Sequence, residues 1–265
     1  TAMSFLLILM AIAPGLLICY VIYHIDKFDK ESHWQLILCF ILGMVITFPA
    51  MKLEEFGESF GLEESGELGP LILLSYGVVG FSEEFVKFLV LMIYAYTRKE
   101  FNEALDGIVY AVMIGMGFAT LENIIYANRF GMETTLVRAI TAVPAHAVFA
   151  VTMGYYVGLA KFDKTRRFRL IAVGLLLAIF IHGTYDFFIL QQYYDWLMVF
   201  ATLTLCISAY FAIRLIRLHQ QNSPFKDNPF TYSNHKQEIE DAQVVDNDDL
   251  DTNFLQDDSE EENEV

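Results

Sequence analysis

Gly80-Phe-Ser-Glu-Glu-Phe-Val-Lys87 puts two adjacent carboxylates and an amine inside an apolar run that extends from about Leu71 to Tyr96. A run of that length is read as a bilayer-spanning helix, because ~20 residues at ~1.5 Å each cross a ~30 Å hydrocarbon core. Charge near the middle of such a helix costs ~2.5–3.5 kcal/mol per group on insertion scales. Glu83, Glu84 and Lys87 therefore need partners, water or a chemical role. Lys87 follows Glu83 by four residues and Glu84 by three, so on a helix its amine reaches either carboxylate.

Working outward, the chain has the composition of an integral membrane protein. Hydrophobic residues make up 55% of it and charged residues only 19%, with a mean hydropathy of +0.42. The formal charge of −16 is a property of one end: fourteen acids against two lysines between Gln220 and Val265 carry −12 of it. That stretch cannot bury enough apolar surface to offset its ordering entropy, so residues 220–265 are expected to form a disordered acidic cytosolic tail. Residues 1–219 are expected to form one transmembrane domain. Cys19, Cys39 and Cys206 lie in apolar runs without metal-ligand spacing and read as small core residues. No basic patch points to nucleic acid.

Seven apolar segments, at 3–23, 33–51, 69–96, 104–127, 135–160, 168–190 and 196–216, predict an all-α polytopic membrane protein of about seven transmembrane helices. The first, Met3 to Tyr23, has no basic n-region and is too long for a signal h-region, so it reads as a span. Basic residues concentrate in alternate connections: Lys27 and Lys30, Arg98 and Lys99, the group from Lys161 to Arg169, and Arg214 with Arg217. The positive-inside rule then sets the N-terminus outside and the C-terminus in the cytoplasm. Lys52 to Gly69, with Glu54, Glu55, Glu58, Glu63, Glu64 and Glu67, is expected to be a solvated outer loop, with an interfacial helix as the alternative.

Polar groups recur in spans three to six. Span four ends in Gly117-Phe-Ala-Thr-Leu-Glu-Asn123, with Phe118 and Glu122 one turn apart; Gly115 and Gly117 read as packing glycines. Span five has Pro144-Ala-His146, where the proline is expected to kink the helix just before the histidine. Span six has His182-Gly-Thr-Tyr-Asp186, with Asp186 placed to orient or pair with the imidazole. By rise per residue Glu84, His146 and His182 lie roughly 10–22 Å deep from the outer side and Glu122 ~8 Å, so all can meet in one bundle. Two glutamates and two histidines can activate water and stabilise an oxyanion, can bind a metal, or can load protons for transport. The HExxH signature is absent. The inventory alone leaves hydrolysis, metal binding and proton-coupled transport open, along with a non-catalytic scaffold acting through the tail.

Glu83-Glu84-Phe-Val-Lys87, Gly117-Phe-Ala-Thr-Leu-Glu-Asn123, Pro144-Ala-His146 and His182-Gly-Thr-Tyr-Asp186 resemble, in this order, the motifs of the PrsW family of intramembrane proteases. That family is related to the CAAX prenyl endopeptidase and bacteriocin-processing group of glutamate-type membrane proteases. The resemblance implies a bacterial inner-membrane endopeptidase cutting a membrane-anchored protein such as an anti-sigma factor. It implies that Glu83 and Glu84 supply the water-activating base, that Lys87 is the basic position after them, and that Phe118 and Glu122 stand where the CAAX relatives have Phe-x-x-x-His. His182 matches the final histidine motif, and Asp186 stands where relatives often carry Asn. The expected catalytic set is Glu83, Glu84, Glu122, His146 and His182, with Glu84 as base and Lys87, Phe118, Asn123 and Asp186 in support. No cofactor is expected; a zinc ion, the alternative, would take Glu84, His146 and His182.

Overall fold

Once an apolar chain leaves water its backbone groups must be satisfied internally, which selects helices. The structure, a computed structural model, describes residues 5–62 and 67–226, and among these it contains helices and no strand. The helices are α1 Phe5–Ile25, α2 His33–Glu58, α3 Leu68–Ile72, α4 Phe81–Ile93, α5 Ala104–Phe130, α6 Met132–Ile140, α7 Ala142–Phe162, α8 Arg167–Leu190 and α9 Met198–Gln221. Among the described residues six stretches are long and apolar enough to cross a membrane: α1, α2, α5, α6 with α7, α8, and α9 with the turn before it. The remaining expected span, 69–96, is helical in three pieces, because a π-helical stretch, Leu73–Gly80, separates α3 from α4. Alternate crossing gives the bundle a first face, where α1 begins, and an opposite face, where α1 ends.

α5 is the central post. It is buried almost from end to end and packs against α1, α2 and α7. Gly117 lets α2 approach, since a Cβ there would collide with the Phe40 carbonyl. Asn123, fully buried, donates from Nδ2 to the Ala11 carbonyl at 3.1 Å and ties α5 to α1.

Two expectations change on this scaffold. Span five does not merely kink at Pro144: it breaks at Thr141, between α6 and α7, with φ −121° and ψ −72°. Pro144 lies in the first turn of α7, and its ring excludes the carbonyl of residue 140 four positions back, so the helix stops one turn earlier. The stretch after Lys52 is helix rather than loop as far as Glu58, two turns beyond the expected end of span two. Glu63 and Glu64 lie outside the described residues. So does the expected disordered tail from residue 227 onward, while its first residues, Gln220 and Gln221, belong to α9. The His219 ring stacks on Tyr155 with centroids 4.2 Å apart and Nε2 donates to the Tyr155 carbonyl at 3.0 Å, fixing α9 to α7.

Candidate active site

The approach of α8 to the π-helical stretch decides the geometry. A Cβ on Gly183 would lie 2.5 Å from Cδ1 of Tyr76, and one on Gly80 would lie 3.2 Å from the Ile179 carbonyl. The two glycines thus let the backbones meet, and a hydrogen bond of 2.9 Å between the Tyr76 and Thr184 hydroxyls fastens them. His182 adjoins Gly183, and Glu84 is one turn beyond Gly80. Their side chains meet as a result: His182 Nδ1 is 2.9 Å from Glu84 Oε1. A π-helical turn, which adds a residue to the helical repeat, is a recurrent device for re-aiming side chains at functional sites.

Around this contact the other motifs close. Lys87 Nζ donates to Glu83 Oε2 at 3.0 Å, to Glu84 Oε1 at 2.8 Å and to His146 Nδ1 at 3.1 Å. With Nδ1 accepting, His146 carries its proton on Nε2 and donates to Glu122 Oε2 at 3.0 Å. The Phe118 ring lies under the ammonium, 4.1 Å from Nζ to the centroid, as a cation–π floor. Asp186 Oδ2 is 3.1 Å from His182 Nε2, and Phe149 stacks on the same imidazole at 4.6 Å. Of the nine residues singled out in the sequence, eight meet here. Asn123 does not; it faces α1.

A cavity of about 420 Å³ opens beside the cluster. Glu83, Glu122, His146, His182 and Asp186 line it, whereas Glu84 does not; it closes a pocket of about 10 Å³ behind the cluster, with one carboxylate oxygen lacking a hydrogen-bond partner. The cavity also has walls that the motifs did not announce. Arg138, from α6, pairs with Glu122 at 2.7 Å and packs over Tyr126, leaving its buried Nε without an acceptor. Glu54 and Glu58 reach the cavity because α2 continues past Lys52. Their spacing of one helical turn was visible in the sequence, but only as part of a glutamate-rich stretch.

Glu83, Glu84, His146 and His182 each bring one ligand atom within 4.8 Å of the others. Two carboxylates and two imidazoles are a donor set that zinc accepts. Lys87 argues against that use as the residues stand, because its ammonium is already at hydrogen-bond distance from three of the four and would oppose a dication among them. The cluster holds a cation of its own, and a metal does not fit until Lys87 withdraws.

Comparison with known proteins points to one family. A family model described as "PrsW family intramembrane metalloprotease" matches residues 31–213. Protease PrsW of Bacillus subtilis (strain 168) is 37% identical over 194 residues, which is 73% of this chain and 86% of the relative. Protease PrsW of Geobacillus kaustophilus (strain HTA426) is 35% identical over 71% of this chain and 81% of its own length. Protease PrsW of Halalkalibacterium halodurans is 33% identical over 82% of this chain and 98% of its own. No solved structure matches.

Proposed function

The chain belongs to the PrsW family of intramembrane proteases, and we propose that it hydrolyses a peptide bond of a membrane-anchored protein with water activated by Glu83. The observation that carries the reading is the convergence of Glu83, Glu84, His146 and His182 within 4.8 Å at the wall of a cavity of about 420 Å³. Because Glu83 lines that cavity and Glu84 does not, the base is Glu83 rather than Glu84, which the sequence had favoured. Glu84 instead holds Lys87 and His182 in place.

In this reading Glu83 takes a proton from water as the hydroxide adds to the scissile carbonyl carbon. The negative oxygen that develops is met by the Arg138 guanidinium, whose Nε–H has no acceptor in the resting site, while His146 holds Glu122 and Lys87 in place. Collapse breaks the C–N bond, and Glu83 returns the proton to the leaving amine. Lys87 orients Glu83 between turnovers through its 3.0 Å hydrogen bond to Oε2. The substrate is a single-span protein of the anti-sigma-factor kind, cut near the first face. The basic connections, by the positive-inside rule, support a first face outside a bacterial inner membrane and a C-terminus in the cytoplasm.

Transport fits less well, because α5 between the site and the opposite face is a packed apolar layer in which Ile108, Val112, Ile114 and Met116 are at most 1% exposed. The deciding experiment is cleavage of single-span substrates by the purified full chain in liposomes. Wild type and a sample treated with a zinc-selective chelator should cleave, and Glu83→Gln should not. Loss with the chelator that zinc restores would move the site to metal chemistry; full activity in Glu83→Gln would remove the assignment of the base.

A further inference from the structure

A second cavity, of about 210 Å³, reaches Glu83 from another side, between α2 and α5. Its α2 wall is Thr47, Met51, Glu54, Glu55 and Glu58, spaced by four, three, one and three residues so that they share one helical face. On α5 the wall repeats the spacing with Phe118, Glu122, Ile125, Tyr126 and Arg129. Each α5 residue follows its α2 counterpart by 71 positions. Ile114 follows Gly43 by the same offset, and a Cβ on Gly43 would strike its carbonyl. Both helices run toward the first face, so the two stripes stand level and rise about 16 Å at ~1.5 Å per residue.

Glycine contacts close the inner end. Gly43 against Ile114 and Gly117 against Phe40 bring the two backbones together, and Thr47 and Phe118, 0% and 1% exposed, form the floor above them. Beyond that level the facing residues are large, and the space between the helices is the cavity. Its rim carries charge: Lys52 and Glu55 pair at 2.6 Å with side chains 75% and 57% exposed, and Arg129 is exposed as well. Such groups belong in water rather than hydrocarbon, so the groove opens to water at the first face.

The two cavities share Glu54, Glu58, Glu83, Glu122 and Tyr126, whereas Glu84 lines neither. Beyond its polar groups the larger one adds Leu74, Val79, Phe130, Val137, Ile189 and Leu190, a lining suited to an apolar membrane-anchored segment. In the smaller one only Met51, Phe118 and Ile125 lack a side-chain oxygen or nitrogen. At ~30 Å³ per molecule in the liquid it has room for several waters. A peptide seated in the larger cavity displaces the water there, so hydrolysis needs water from a side that the peptide does not cover. Glu83 has that side: Lys87 holds its Oε2 at 3.0 Å, which leaves Oε1 for an incoming water. We propose, on the reading of Glu83 as the base, that the groove between α2 and α5 is a water port. It conducts the hydrolytic water from the first face to Glu83 while the substrate occupies the larger cavity, and Met51 and Ile125 are the wall residues at which it is plugged.

The test is Met51→Cys in the full chain with Cys19, Cys39 and Cys206 replaced by Ala, treated in detergent with a small, permanently charged methanethiosulfonate that reacts with thiols water reaches. The thiol should react. Relative to the same protein before treatment, kcat on a single-span substrate should fall about a hundredfold, the lower end of what general-base catalysis contributes, with KM little changed. A reductant that removes the adduct should restore cleavage, and Ile125→Cys, on the facing wall, should behave in the same way. In a Glu83→Gln background, where the substrate stays whole, bound substrate should leave Met51→Cys reactive while it shields Val137→Cys in the larger cavity. A Met51→Cys thiol that does not react, modification that leaves kcat unchanged, a loss carried by KM, or shielding of Met51→Cys by substrate would each overturn the port. Any of these with Glu83→Gln inactive leaves the base standing, whereas full cleavage by Glu83→Gln removes the base itself.

Discussion

Lys87 is the residue on which the site balances. Its ammonium neutralises Glu83 and Glu84 in a setting where all three side chains are at most 6% exposed. Replacing it leaves two buried carboxylates without a counter-charge, and breaking a buried pair from one side costs about 3–5 kcal/mol. Lys87→Met is therefore expected to lower stability by about that amount in a denaturant titration in micelles, and adding Glu84→Gln should recover part of the loss. Equal destabilisation in single and double variants would mean that the charges do not act as a unit. Glu54 works at the same scale on the substrate side. It lines a cavity wall shared with Glu58 and Asp186, so Glu54→Leu, which removes its polar oxygens from that wall, should raise KM while kcat is kept. A kcat loss with KM unchanged would place Glu54 in the chemistry instead.

At the scale of the elements, the π-helical stretch and α8 hold the two halves of the site in register. The contact tolerates no side chain at Gly183, where a Cβ would press on the Tyr76 ring. Overpacking of this kind costs about 1–3 kcal/mol. Gly183→Ala should therefore fold but lose cleavage out of proportion to its fall in melting temperature, because pushing α8 outward lengthens the 2.9 Å contact of His182 with Glu84. Activity that merely tracks stability would show that the register is not critical. The break at Thr141 belongs to the same level. It sets α6 and α7 apart as separate helices, with Arg138 supplied by the first and His146 by the second.

For the whole molecule, the candidate active site is built by the π-helical stretch with α4, and by α5 to α8, with α2 adding a wall. Residues 1–223 form one compact unit. Removing residues 224–265 is expected to leave cleavage in liposomes intact, and loss of cleavage on truncation would give the tail a role in the reaction.

The sequence by itself determined the all-helical membrane class, the spans to within a turn or two, and the family. It also singled out the seven polar side chains that meet, because charge inside an apolar run is expensive enough that each such residue stands out against its neighbours. Charge near the ends of spans carries no such signal. Glu54 and Glu58 read as part of a solvated loop, Arg138 carried no mark of a site, and Asn123 was grouped with the site. Only the tertiary structure decided those cases, through where α2 ends, where the fifth span breaks and which face of α5 each helix covers. It also supplied the asymmetry between Glu83 and Glu84: adjacent on one helix turn, they point about 100° apart, and the packing of α8 and α5 leaves one at the cavity and encloses the other.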